Sequence, residues 1–194
     1  MKQKNTRDNL IKTAISLFAK NGYADTSIRA IGSKAGISTS VLYHYFNNKQ
    51  EILFEVINAS SIELSQELTK IKTQYSDPLE CLRQMLMTHM VHFSLKRNEE
   101  TKIMASDSHF LQGENRLAIR KILSEIYEIY NAQLKAIAEK GLINDVDLTV
   151  VVFSIFGLIS SFYSWYRENG RLSKEEIAQN IMDILSYGIF KHKK

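Results

Sequence analysis

Apolar residues recur every three to four positions along almost the whole chain, with no convincing stretch of strict alternation, so the pattern predicts helices and no strands. Leu10, Ala14, Leu17 and Phe18 mark a first helix that ends at Asn21-Gly22. Thr26 and Ser27 can cap a short second helix to about Ala35, with Ile28 and Ile31 inward, and Ser38 a third through Phe46. Asn47-Asn48 opens a long fourth helix with Leu53, Val56, Ile57, Leu64, Leu68 and Ile71 on its buried stripe, running to about Gln74. Asp77-Pro78 begins a fifth, with Leu82, Met85, Leu86, Met90 and Phe93 on one face. A short helix over 99–108 follows, then a long one from Gln112 to Lys140 closed by Gly141, and one from Asp145 to about Glu168. The last, Ser173 to about Phe190, opens with Ser173 and Glu176 at capping-box spacing. The fold class is all-α, with about nine helices.

Leu148–Tyr166 carries no charged residue, which raises the question of a membrane span. The stretch contains Thr149, Ser154, Gly157, Ser160, Ser161 and Ser164, and lies between the acidic residues Asp145, Asp147 and Glu168. Its simpler reading is a helix buried on two sides, against its own domain and against a second copy of the chain. A homodimer through the last two helices is therefore expected, with no membrane.

Composition changes this picture in two respects. One proline and eight glycines in 194 residues leave few breakers, and a single cysteine, Cys81, permits no intrachain disulfide, which suits a reducing cytoplasm. The N-terminus lacks the apolar core of a signal peptide. The net charge of +4 is distributed unevenly: residues 1–50 hold eight Lys/Arg, among them Lys2 and Lys4, against Asp8 and Asp25, and the rest of the chain is slightly acidic. A positive excess confined to the first quarter suits a polyanionic partner for that part alone, although a solvated basic surface would look the same.

The segment Thr26–Phe46, TSIRAIGSKAGISTSVLYHYF, meets the requirements of a helix-turn-helix. Gly32 and Ala35 let two helices cross closely, and Gly36 can take the left-handed turn conformation. Ile31, Ile37 and Leu42 can fill the core beneath, leaving Thr39, Ser40, Tyr43 and His44 outward, where a helix in the major groove would present them to DNA. Phe46 and in part Tyr45 read as core aromatics. His44 divides between a DNA contact and a cap.

These residues, with F-A-K-N-G-Y before them and N-K-Q-E-I-L after, resemble the TetR family of one-component regulators over about residues 7–53. The resemblance implies a DNA-binding domain over residues 1–47 and a larger ligand-binding and dimerisation domain over 48–194. It implies phosphate contacts from Thr26, Ser27, Tyr43 and Lys49, and base contacts from the region of Thr39, Ser40, Val41 and His44, with Arg29 and Ser38 beside them. Ser40 and Val41 depart from the commonest family pattern, so the resemblance does not carry over an operator sequence.

Further along, Trp165–Ser173 followed by Lys-Glu-Glu-Ile-Ala, and Leu111–Arg120 followed by Ile126-Tyr127, resemble the branch of that family that regulates fatty-acid and sterol catabolism. Members of that branch often sense acyl-CoA thioesters. The residues themselves are compatible: Met85, His89, Met90 and Phe93 share one helix, and Met104, Phe110, Tyr127, Tyr130, Phe153 and Phe156 are candidates to face them around a long apolar chain. Arg120 is a candidate cation for the CoA phosphates, as are Arg83, Arg116 and Lys121. Ordinary core packing or a solvated charge is the competing reading for each.

No phosphate-binding glycine loop, nucleophile elbow or paired-carboxylate motif occurs, and Cys81 sits in an apolar helix, so neither an enzyme nor a cofactor is expected. His89 and His92 have metal-compatible spacing without an acidic or thiol partner nearby, and no metal is expected. The expectation is a repressor that binds double-stranded DNA as a dimer and is released by a small amphipathic effector, with a regulator of drug efflux as the alternative.

Overall fold

The computed structural model describes residues 2–189, with side chains from Asn5 onward. Lys2 and Lys4, counted in the basic excess, have side chains outside the described residues, and so does Phe190, the expected end of the last helix. Among the described residues there is no strand. The helices are α1 (Lys2–Asn21), α2 (Ile28–Lys34), α3 (Thr39–Tyr43), α4 (Lys49–Gln74), α5 (Pro78–Thr88), α6 (Asn98–Asp107), α7 (Gly113–Glu139), α8 (Leu148–Ser160), the single turn α9 (Phe162–Trp165) and α10 (Lys174–Ile189).

Capping explains most of these boundaries. Ser27 Oγ accepts from the Ala30 N–H at 3.1 Å, and Ser38 Oγ from Val41 at 3.3 Å. Asn48 Oδ1 accepts from Glu51 N–H at 2.9 Å while the Glu51 carboxylate accepts from Asn47 N–H at 2.7 Å. Ser173 and Glu176 form the expected reciprocal box at 3.1 and 2.8 Å. Gly141, at φ +68°, closes α7 by donating to the Ala138 carbonyl.

Two expected helices differ in the structure. The fifth stops being α-helical at Thr88 and continues as a π-helical segment over His89–Leu95, so the stripe that was to place Met85, Met90 and Phe93 in register passes through a wider turn. The eighth breaks after Ser160. Ser160, Ser161 and Ser164 hydroxyls donate back to the carbonyls of Gly157, Leu158 and Ser161 at 3.1, 2.8 and 2.7 Å, competing with the backbone ladder.

The chain divides into two compact units. The first comprises the residues up to Ser61 together with Glu99–Lys121, and the second Ile62–Asn98 with the residues from Ile122 on. The expected domain boundary at residues 47/48 falls within the first of these units. The first unit's core joins Leu10, Phe18, Leu42 and Phe46 to Ile52, Leu53, Val56 and Ile57 of α4, and to Ile103, Leu111 and Ile119 beyond. A three-helix module of 47 residues is small for a hydrophobic core of its own, and the added segments extend that core. In the second unit, α5, the π-helical segment, the later part of α7, and α8–α10 pack around Met85, Tyr130, Leu134, Ile155 and Phe162.

Candidate nucleic-acid interface and effector site

In the first unit the α2–α3 turn is built by two glycines with different tasks. Gly36 adopts φ +70°, and Gly32 lies so close to the following chain that a Cβ there would stand 2.8 Å from the Ile37 carbonyl oxygen. The Ile37 N–H donates to the Gly32 carbonyl at 2.8 Å, which fixes the crossing of the helices. Leu42 is fully buried and anchors the inner side of α3. Ser40, Val41, Tyr43 and His44 are exposed, and Thr39 is half-buried. Ser38, also exposed, is the N-cap. A short helix with one buried anchor and an outer surface of hydroxyls, an aliphatic side chain, a phenol and an imidazole is free to read groove edges and phosphates.

The remaining residues implied to touch DNA divide. Ser27 and Arg29 are exposed at the start of α2, and Arg29 has no ion-pair partner among the described residues. Thr26 is only 1% exposed, and its hydroxyl donates to the Gly22 carbonyl at 2.8 Å, closing the end of α1. Lys49 is half-buried: its ammonium donates to the carbonyls of Tyr23 at 2.7 Å and Ala24 at 3.2 Å, and lies 4.2 Å from the centre of the Tyr23 ring. Burial pushes its pKa down, opposed by the nearby charges of Asp25 and Asp107. Thr26 and Lys49 thus have partners within the unit.

Sequence reasoning missed the centre of this arrangement, Tyr23. Its N–H donates to Asp107 Oδ2 at 3.1 Å, and its ring packs on Phe18 and Phe110 at 5.4 and 5.0 Å. Lys102 donates to the Ala19 carbonyl, capping α1 from α6. Burial pushes the Asp107 carboxyl up, while the Tyr23 N–H, His109 and Lys102 pull it down. The one signal in the sequence is the aromatic following Asn21-Gly22. Nothing local foretells Asp107, which is 84 positions away.

The second unit gathers part of the expected effector set. His89 Nδ1 lies 3.2 Å from the Tyr130 hydroxyl, which is 3.4 Å from the Met85 carbonyl. Phe156 meets the Tyr130 ring edge-on at 5.5 Å and the His89 ring at 6.2 Å. Phe153 and Tyr127 extend the cluster, their rings stacked at 5.6 Å, with the Tyr127 hydroxyl 3.2 Å from Thr149 Oγ1. Met85, Met90 and Phe93 are buried in the same core. Burial pushes the His89 pKa down to about 4 and the Tyr130 phenol upward, so both are neutral near pH 7.

Three expected members belong elsewhere. Met104 and Phe110 pack against the first unit's core, Phe110 on Tyr23, and Arg120 is exposed on the part of α7 that belongs to that unit. His92 is exposed, and among the described residues no three His, Cys, Asp or Glu side chains converge as a metal site would need. Leu148–Trp165 is long and apolar enough to cross a membrane, with 28% of it buried. Its outward side chains include Val150, Phe153, Leu158 and Trp165.

Residues 10–56 match the family model described as bacterial regulatory proteins, tetR family, and residues 75–189 match the tetracyclin repressor-like, C-terminal domain. The fatty acid metabolism regulator protein of Bacillus subtilis is 23% identical over 194 residues, covering 97% of this chain and 98% of its own. The structure of the ketosteroid transcriptional regulator KstR2 of Mycobacterium tuberculosis superposes with a TM-score of 0.89 at 24% identity, over 96% of this chain and 95% of that one. The structure of AibR in complex with isovaleryl coenzyme A and operator DNA gives a TM-score of 0.84 at 26% identity, over 92% and 97%.

Proposed function

The chain belongs to the TetR family of ligand-responsive, DNA-binding transcriptional repressors, and from that premise we propose that it is a cytoplasmic homodimer released from a palindromic operator by an acyl-CoA thioester. The observation that carries the DNA part is α3: a buried Leu42 beneath exposed Ser40, Val41, Tyr43 and His44. In this reading Ser40, Val41 and His44 meet bases with Thr39 at their edge, Val41 packing on a thymine methyl. Ser27, Arg29 and Tyr43 meet phosphates, Ser38 holds the start of α3, and Lys49 and Thr26 act by fixing the loop between α1 and α2.

Two copies are needed because a palindrome offers half-sites about 34–36 Å apart. The apolar residues left exposed on α8 and α10, Val150, Phe153, Leu158 and Ile184, suit a self-complementary interface between copies. At 61% exposure, Phe153 fits that interface better than an enclosed pocket.

The effector reading is supported by the neutral His89–Tyr130 pair among methionines and aromatic rings, and by the likeness to AibR, whose structure holds isovaleryl coenzyme A. An apolar chain would lie among Met85, Met90, Phe93, Tyr127 and Phe156, with His89 or Tyr130 able to donate to a carbonyl oxygen. Release requires that the thioester prefer a conformation of the dimer in which the recognition helices no longer match the grooves.

The test is fluorescence anisotropy with a duplex selected from a random library by the chain itself. Acyl-CoAs from isovaleryl to palmitoyl, free CoA and a hydrophobic cation are titrated into the complex. Release by acyl-CoA alone is the expected result. If no acyl-CoA binds or shifts the complex, the effector reading is wrong, and release by the cation would favour a regulator of efflux.

A further inference from the structure

We propose that the groove between α1 and the α2–α3 turn is an additional binding site for the DNA backbone, with Lys12 as its phosphate contact. The inference rests on the DNA-binding reading above. Asn5, Asn9, Lys12 and Ser16 recur at intervals of three and four and share one face of α1. That face lies along the end of α2: Asn9 Nδ2 donates to the Ala35 carbonyl at 3.2 Å, and Lys34 Nζ to Ser16 Oγ at 3.1 Å. Between these elements is an open groove of about 430 Å³, lined by Asn5, Thr6, Asp8, Asn9, Lys12 and Ile37.

The cations of this unit are not equivalent. Arg7 is paired with Glu55 at 2.7 Å and lies over the Phe46 ring at 5.4 Å, so it serves the fold. Lys49 is held by two carbonyls. Lys12 is exposed, and among the described residues it has neither an ion-pair nor a hydrogen-bond partner, although Asp8 stands one turn before it. An ammonium without an ion-pair partner in a polar groove, beside the amide donors of Asn5, suits a singly charged phosphodiester oxygen.

The position of the groove indicates which polyanion passes it. Ile37 lines it, and the next residue, Ser38, is the N-cap of α3. When the start of α3 enters a major groove, the adjoining surface faces the sugar-phosphate strand bordering that groove. The contact is with the backbone, so it strengthens binding to every sequence alike. Asp8 on the same rim opposes it, which gives the site a lever of each sign.

The experiment compares full-length wild type with Lys12→Gln and Asp8→Asn on two 30-base-pair duplexes, one selected by the wild type and one of random sequence, across a salt series. Lys135→Gln, the same loss of charge in the second unit, is the control. For Lys12→Gln the slope of log affinity against log salt falls by about one unit on both duplexes, leaving their affinity ratio unchanged. Asp8→Asn tightens both, and Lys135→Gln leaves the slope as it was. An unchanged slope in Lys12→Gln, or a loss confined to the selected duplex, overturns the proposal while the DNA-binding reading stands. Failure of the wild type to bind any duplex overturns both.

Discussion

Lys49 holds the backbone of Tyr23, donating to its carbonyl at 2.7 Å while lying 4.2 Å from the centre of its ring. Because the ammonium also reaches the Ala24 carbonyl, the first residue of α4 fixes the loop that leads into α2. Lys49→Met keeps an unbranched apolar stem and removes the ammonium donors. It should lower stability by about 1.5–3 kcal/mol in urea denaturation, the range for hydrogen bonds made by a charged group. Affinity should fall on all duplexes while the salt slope changes by well under one unit. A fall of a full unit would mean that Lys49 touches a phosphate directly.

The two glycines of the turn should respond differently to alanine. At Gly36 a Cβ has open space, so Gly36→Ala meets only the cost of a left-handed backbone, about 1–2 kcal/mol. Asparagine there should cost less. Gly32→Ala drives a methyl group against the Ile37 backbone and must displace α3 from α2. Duplex binding should therefore rank Gly36→Asn, Gly36→Ala, Gly32→Ala from best to worst. Equal losses for the two alanine variants would show that the Gly32 contact is slack.

His89 makes stability depend on pH on the acid side. Its folded-state pKa of about 4 lies below the ordinary 6.5, so between these values the unfolded chain binds more protons than the folded one. Stability from this group is complete above pH 6.5 and is lost as pH falls toward 4, by up to about 3 kcal/mol. His89→Phe should flatten the wild-type loss across that window in denaturation at several pH values. An identical pH profile in both proteins would place the titrating group elsewhere.

Ile184 is 69% exposed on α10 and Val150 64% exposed on α8, so substituting them should leave the fold of one chain intact. Ile184→Glu and Val150→Glu should shift sedimentation from dimer to monomer at micromolar concentration, with unchanged helical content. Affinity for the palindrome should fall to that of a half-site. A wild-type protein that sediments as a monomer would remove the basis of the proposed interface.

The helices were legible because their signals are local. Ser27, Ser38, Asp77 and the Ser173–Glu176 box act over three residues, and each stands in the structure where its sequence placed it. The breaks were less legible. Ser161 and Ser164 stand in the sequence only as polar residues within an apolar stretch, and their bonds to carbonyls, which compete with the helix ladder, show only in the structure. The π-helical turn after Thr88 leaves no mark in an apolar spacing that α and π geometry both tolerate.

By itself the sequence determined an all-α chain, a helix-turn-helix with an exposed α3, and a basic first quarter, because periodicity, capping and charge are properties of neighbouring residues. The tertiary structure decided which polar groups are available. Thr26 and Lys49 look like surface donors in the sequence, yet one closes α1 and the other holds a loop 26 positions away. Met104, Phe110 and Arg120 look like partners for Met85 and Tyr130, yet they belong to the first unit. A long side chain reaches whatever the fold brings within a few ångströms, and for Tyr23 that is Asp107, 84 residues on.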